Sequence, residues 1–184
     1  MDFAVFFRNL NLGRTNCPTK LQFEAAFLDA GAVSAASFLT NGTLVYAAAS
    51  IDEARQVFDR AYALLNARCG LKEPAFVRTV DYLAALVDTD PFAGIDRASV
   101  YEFCVSFLHS PEVVPPTLPL ASARGDVELI AVTPAEVLSL SRKFGASPGS
   151  PNAFLEKRLG SPLTTRAWNT LVRLVRKHRA ASAD

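Results

Sequence analysis

Three cysteines, Cys17, Cys69 and Cys104, are all that the 184 residues contain, and they are odd in number and far apart. They make no disulfide framework and no paired metal-ligand spacing, and they suit a reducing compartment. His109 and His178 are the only histidines, and neither has a carboxylate or a cysteine at ligand spacing. Charge is sparse as well. A fifth of the residues are charged and the net charge is +1, so no global field points to nucleic acid, a membrane surface or an acidic substrate. No apolar run approaches the roughly 18 residues that span a bilayer. Met1-Asp2-Phe3 opens without the basic and apolar regions of a secretory signal. The expectation is a cytoplasmic protein with no membrane partner. Neither G-x-x-x-x-G-K-[ST] nor G-x-G-x-x-G occurs, so no nucleotide loop and no cofactor is expected.

Hydrophobicity is what the chain does have. Half of its residues are hydrophobic, enough for the core of one domain or of two small ones. Phe3 to Phe7 is apolar on both alternating faces, the pattern of a strand in the middle of a covered sheet. A polar, Asn- and Gly-bearing loop follows over residues 8–16. Thr19 with Gln22 makes a capping box, Leu21, Ala25 and Leu28 form the stripe of the helix behind it, and Gly31 ends that helix. β-type runs at 33–39 and 44–48 flank Thr40-Asn41-Gly42, a hairpin signal. Ser50 with Glu53 caps a second helix that carries Ile51, Ala54, Phe58, Ala61 and Leu65 on one face and stops at Gly70. Residues 74–80 read as a further strand. The order β-α-β-β-α-β over residues 1–80 is the split βαβ of ferredoxin-like folds. The fold class is therefore α+β, with both helices expected on one face of a four-stranded antiparallel sheet.

Residues 81–184 read as a second, degraded α+β subdomain packed on the first. A helix over 81–88 precedes a strand at 101–108 with Tyr101, Phe103, Val105 and Phe107 on one face. Residues 111–120 hold four prolines and read as a connection. Runs at 127–132 and 137–140 suggest a hairpin around Thr133-Pro134. A turn-rich loop covers 145–151, and a helix covers 152–159. The last helix is expected from near Thr164 to about Ala180, with Trp168, Leu171, Val172 and Val175 buried and Arg166, Asn169, Thr170, Arg173 and Lys177 on its polar face. From Glu156 onward seven Lys/Arg stand against two Asp/Glu, so a locally basic tail follows a slightly acidic body.

Chemical motifs are few. Gly145-Ala146-Ser147-Pro148-Gly149 matches the G-x-S-x-G nucleophile elbow, but the residue after the serine must donate an N–H to the oxyanion, and Pro148 has none. Asp88 and Asp90 read as helix-end and turn residues rather than a metal pair. Cys17 sits in the first polar loop with no basic neighbour fixed beside it, so a bland thiol is the simpler reading.

Several segments resemble a bacterial family known as domain of unknown function 1697. Val5-Phe6-Phe7-Arg8-Asn9-Leu10-Asn11-Leu12-Gly13 is similar to its opening "ALLRGINVGG", and Thr40-Asn41-Gly42-Thr43-Leu44-Val45-Tyr46 to its "SGNVVF". Pro91-Phe92, Val105-Ser106-Phe107-Leu108 and Thr164-Thr165-Arg166-Ala167-Trp168-Asn169-Thr170 resemble its "NPF", "VAFL" and "TTRNWNT". The chain departs from the pattern at Asn9, which replaces a glycine, at Arg14, which replaces the second of a glycine pair, and at the 40–42 turn. The resemblance implies ferredoxin-like α+β subdomains and no activity.

The leading functional expectation is a non-enzymatic binder of an anionic, phosphate- or carboxylate-bearing ligand. Arg8, Asn11, Asn16, Asn41, Arg166 and Asn169 would supply the donors, from the first loop, the 40–42 turn and the start of the last helix. The rivals are an enzyme that uses the same polar cluster on a small molecule, and an interaction module that meets a protein or a nucleic acid. Leu44-Val45-Tyr46 is no RNP1 run, which weighs against RNA. One outcome follows from Pro148 alone. A serine-directed fluorophosphonate should leave Ser147 unlabelled in the folded protein, read by intact-mass spectrometry, and a labelled Ser147 would restore the elbow.

Overall fold

The structure is a computed structural model that describes residues 1–108, 114 and 116–181. His109 and much of the proline-bearing connection lie outside the described residues. The chain divides into two compact units, Met1–Leu83 and Ala84–Asp184.

In the first unit the elements are β1 (Asp2–Phe7), α1 (Lys20–Asp29), β2 (Ser34–Ser37), β3 (Thr43–Ala47), α2 (Ile51–Cys69) and β4 (Ala75–Thr79). All pairings are antiparallel and the strand order is β2-β3-β1-β4, so an α+β unit is built on the expected element order. β1 is central, and Phe3 through Phe7 are buried on both faces. Phe3, Val5 and Phe7 share one core with Phe23, Phe27, Ala54, Val57 and Leu65 of the two helices. Its rings interlock. Phe7 meets Phe23 edge-on at 5.4 Å, Phe27 meets Tyr46 at 5.0 Å, and Tyr46 stacks on Phe3 at 5.6 Å. The Tyr46 hydroxyl donates to the Ala54 carbonyl at 3.0 Å, which satisfies its one buried polar atom.

The caps form as the sequence suggests. Thr19 Oγ1 accepts from Gln22 N and Gln22 Oε1 accepts from Thr19 N. Ser50 caps α2, while Glu53 accepts one residue earlier than a capping box requires, from Ala49 N. The buried stripe of α1 differs from expectation. Leu21 is 79 % exposed and Leu28 48 %, while Phe23, Ala26 and Phe27 are buried. The two rings, one turn apart, bury more apolar surface than the leucines could, and they claim the core face. On α2, Val57 takes the core position, Phe58 lies at its margin and Ile51 is half exposed. The β2–β3 connection spans Phe38 to Gly42, with left-handed backbone at Leu39 and Gly42.

Helix α3 (Val80–Asp88) carries the chain into the second unit. There the elements are β5 (Glu102–Leu108), β6 (Val127–Val132), β7 (Glu136–Ser141), a two-residue ladder of β8 (Lys143–Phe144) with β9 (Ser147–Pro148), α4 (Pro151–Leu159), β10 (Leu163–Ala167) and α5 (Trp168–Ala181). The sheet order is β10-β5-β7-β6, again all antiparallel. Numbered from β5, that is the strand order of the first sheet, with α4 in the place of α2. Between β5 and β6 the described residues hold no counterpart of α1.

The start of the last helix needs correction. Residues 163–167 are strand, and α5 begins only at Trp168. Thr164 and Thr165 are β-branched and favour the pleated surface. Thr165 Oγ1 meets Ser106 Oγ at 2.7 Å from the register position opposite. Trp168, Leu171, Leu174 and Val175 are the buried residues of α5, and Val172 is only half-buried. The Trp168 ring meets Phe92 edge-on at 5.3 Å, and Phe92 packs on Phe103 at 4.6 Å.

Two stability outcomes follow. Trp168 is 6 % exposed, so Trp168→Ala should cost about 3–5 kcal/mol in urea melts. Ser139 Oγ is fully buried and has no hydrogen-bond partner among the described residues. Such an orphan hydroxyl disfavours folding, so Ser139→Ala should be neutral or raise the melting midpoint, whereas Ser106→Ala, which breaks the Thr165 pair, should cost about 1 kcal/mol of stability.

Candidate functional site

Antiparallel pairing brings the C-terminal end of β1 to the start of β3 and the start of β4. Three loops therefore meet at one end of the first sheet, namely residues 8–18, 38–42 and 70–74. Backbone bonds lock them. Phe7 N donates to Gly42 O at 2.9 Å, Leu12 N to Thr40 O at 2.8 Å, and Arg8 N to Pro74 O at 2.9 Å. Gly42 is required here. Its φ is +69°, and a Cβ on it would stand 2.6 Å from Leu10 Cβ. Inside the first loop, Gly13 N bonds Pro18 O and Cys17 N bonds Arg14 O, which folds residues 13–18 back on themselves. Asn9 and Asn16 hold left-handed backbone, at φ 51° and 60°. Asn is the side chain best suited to that region after glycine, which explains how Asn9 stands where the resembled pattern has glycine.

A cavity of about 280 Å³ opens between the first loop and residues 70–73. Asn9, Thr15, Asn16, Cys17, Lys72 and Glu73 give it its polar lining. The side chains of Asn9, Thr15, Asn16 and Lys72 make no hydrogen bond or ion pair within the chain among the described residues. Arg8 is committed to Glu73, Nη1 to Oε2 at 2.7 Å. The bond from Arg8 N to Pro74 O places that carboxylate beside it. Burial, with the Glu73 charge adding, raises the pKa of Tyr62, whose ring stacks on Phe7 at 6.3 Å.

The other expected donors fall on both units. Asn11 is exposed on the first loop. Asn41 is half-buried in the turn and accepts from Thr43 Oγ1 at 2.9 Å. Arg166 and Asn169 belong to the second unit. Arg166 is not on a helix face: it lies on β10, 8 % exposed, and donates to Thr164 Oγ1 at 2.7 Å and Thr165 O at 3.0 Å. Burial lowers its pKa to about 10, so it stays charged at neutral pH. Asn169 is exposed in the first turn of α5. Sequence reading passed over Lys72, because an isolated lysine after a helix-ending glycine carries no pattern.

The weaker motifs resolve into structure. Ser147 and Pro148 form one side of the β8–β9 ladder, with Gly145 at φ 72° in its turn. Gly149 passes so close to Asp126 that a Cβ would stand 2.1 Å from its carbonyl oxygen. The two glycines of the elbow pattern thus serve a tight turn and a close crossing. Asp88 is held by the Arg179 fork at 2.9 and 2.5 Å, and this hydrogen bonding lowers its pKa. Burial, with Glu102 adding, pushes the Cys104 thiol up to about 12, so Cys104 is no nucleophile at neutral pH. Among the described residues no cluster of three His, Cys, Asp or Glu could hold a metal ion, and no helix is long and apolar enough to cross a membrane.

No curated protein and no solved structure matches the chain. The pattern of one family, "Protein of unknown function (DUF1697)", matches residues 1–137. That match takes in the first unit with its loop cluster and continues through β6 into the first two residues of β7, and it ends before the Thr164–Thr170 stretch. The chain belongs to the DUF1697 family of proteins of unknown function.

Proposed function

We propose that the first unit binds a small anion, phosphate- or carboxylate-bearing, in the cavity between the first loop and residues 70–73. The observation that carries this reading is the set of uncommitted donors around one opening. Lys72 brings a positive charge with no carboxylate partner among the described residues, and Asn9, Thr15 and Asn16 bring amides and a hydroxyl that nothing in the chain engages. The one carboxylate of the lining, Glu73, is neutralised by Arg8, so the residual charge of the site is Lys72's. An ammonium with two amides suits an oxyanion, because each N–H bond to a charged oxygen is stronger than a neutral one. The scaffold is rigid where it matters: the backbone bonds to Gly42, Thr40 and Pro74 fix the loop before any ligand arrives. The reading is binding rather than turnover. With Glu73 held by Arg8 and no histidine in the lining, the cavity offers no free general base.

An amide-resolved NMR titration with inorganic phosphate, pyrophosphate and acetate tests it. Shifts should concentrate in residues 9–17 and 70–73. Lys72→Ala should weaken the binding by about tenfold or more, the range of one charged hydrogen bond, and leave the melting midpoint nearly unchanged. Lys143→Ala, which removes an exposed lysine elsewhere, should change neither. Equal losses from both variants, or shifts spread evenly over the surface, would mean diffuse charge screening and sink the proposal.

A further inference from the structure

The free edge of β4 and the groove beside it carry a second reading, independent of the anion cavity. The phase of β4 follows from one hydrogen bond. Arg8 N donates to Pro74 O, and the register continues through Phe6↔Phe76 and Ala4↔Arg78. In an antiparallel ladder hydrogen-bonded and non-hydrogen-bonded pairs alternate. Phe76 and Arg78 therefore bond to β1, and the N–H and C=O groups of Ala75, Val77 and Thr79 point away from it. One of these carbonyls betrays its direction: Val77 O takes a hydrogen bond from Arg78 Nη1 at 2.9 Å. Among the described residues no strand pairs with β4 on that side. No other hydrogen bond reaches the N–H of Ala75, Val77 or Thr79 among the described residues.

Side chains make the edge specific. The same register turns Val77 and Thr79 to the face that carries the helices, since they lie opposite Val5 and Phe3. Between them and α2 lies a groove of about 370 Å³. Val77 and Thr79 form one wall, Ile51 and Phe58 the other, and the rings of Phe3 and Tyr46 the floor. Ile51 is 50 % exposed, an apolar side chain placed at the mouth of an apolar groove. The charged residues of the lining are Arg55, Arg78 and Asp59; Arg55 also faces Asp52 at 3.6 Å, so Arg78 is the cation nearest the strand edge.

We propose that β4 is a docking edge for an extended peptide segment of a partner protein, one with apolar residues at alternate positions and an acidic residue next to them. The peptide's backbone would extend the sheet through the outward groups of Ala75 and Val77 and the N–H of Thr79, whose carbonyl opens α3. One apolar side chain would enter the groove between β4 and α2. The acidic residue would draw the Arg78 guanidinium off its own strand's carbonyl and so free Val77 O for the new ladder. Strand addition at a sheet edge takes its affinity from main-chain bonds and its selectivity from such a pocket. The other edge, β2, reads Ser-Ala-Ala-Ser and offers no comparable side chains.

The test uses the full chain and a short capped peptide of alternating valine and glutamate. Binding should shift the amide resonances of Ala75, Val77 and Thr79 and slow their hydrogen exchange. The same peptide N-methylated at its ladder-facing nitrogens should bind about tenfold more weakly or worse, because it loses several backbone bonds. A lysine-for-glutamate peptide should also lose affinity. Val77→Pro removes an outward N–H, which edge strands tolerate, together with part of the groove wall, so it should abolish binding while the protein stays folded by circular dichroism, and Val77→Ala, which trims the wall alone, should bind more tightly than Val77→Pro. Unchanged affinity of the N-methylated peptide would reduce the site to a side-chain pocket and overturn the proposal. So would concentration-dependent dimerisation that protects these amides without peptide, since a second copy would then be the occupant.

Discussion

Every peptide group of β1 between Phe3 and Phe7 is buried, and a buried backbone group must find a hydrogen-bond partner inside the protein. That requirement puts β3 along one edge of β1 and β4 along the other. Covering the faces then falls to side chains. Phe3, Val5 and Phe7 gather both helices over one face. Everything at the C-terminal end of the strand inherits its position from this arrangement: the turn before β3 and the loop before β4 arrive beside residues 8–18 because their strands have no other place to pair.

The second unit solves a similar problem with fewer parts. β5 is also buried from Phe103 to Leu108 on both faces, and β10 and β7 satisfy its edges. α4 lies on β10, β5 and β7 and α5 on β5 and β10. The interior there is more polar. Ser106, Ser139, Ser141, Thr164, Glu136 and Arg166 are all buried, and most find partners: Ser141 donates to Gly149 O at 2.7 Å, and Thr133 donates to Glu136 Oε2 at 3.0 Å. Hydrogen bonds thus supply in this sheet part of the order that interlocking rings supply in the first.

Local signals in the sequence predicted what local forces decide. The capping residues Thr19 and Ser50, the helix-ending Gly70 and the two-faced apolar run of β1 each act through their nearest neighbours, and each stands where its chemistry suggests. Where two patterns competed, tertiary context chose. Leu21 and Phe23 both fit a helical stripe, and only the partner rings Phe7 and Tyr46 select the second. Arg166 fits an i, i+3 polar face with Asn169, yet β5 needs an edge partner and draws residues 163–167 into a strand. The candidate site was half legible for the same reason. Asn16 announces itself as a turn residue in a polar loop. Arg8 looks like a donor until Glu73, 65 residues away in sequence, is brought alongside. Lys72 gains meaning only once the sheet has carried it to the opening of the cavity.

The contact between Gly42 and Leu10 binds two distant positions into one inherited unit. A Cβ at 42 would collide with the Leu10 side chain, and the backbone there is left-handed. Residue 42 is therefore held to glycine twice over, by its φ and by an approach to Leu10 Cβ, an atom that any residue but glycine would keep. Leu10 is 2 % exposed and belongs to the core, so a smaller residue there would open a void beneath the loop. Because the two residues touch, changes at 42 and 10 should not simply add in their effects on stability.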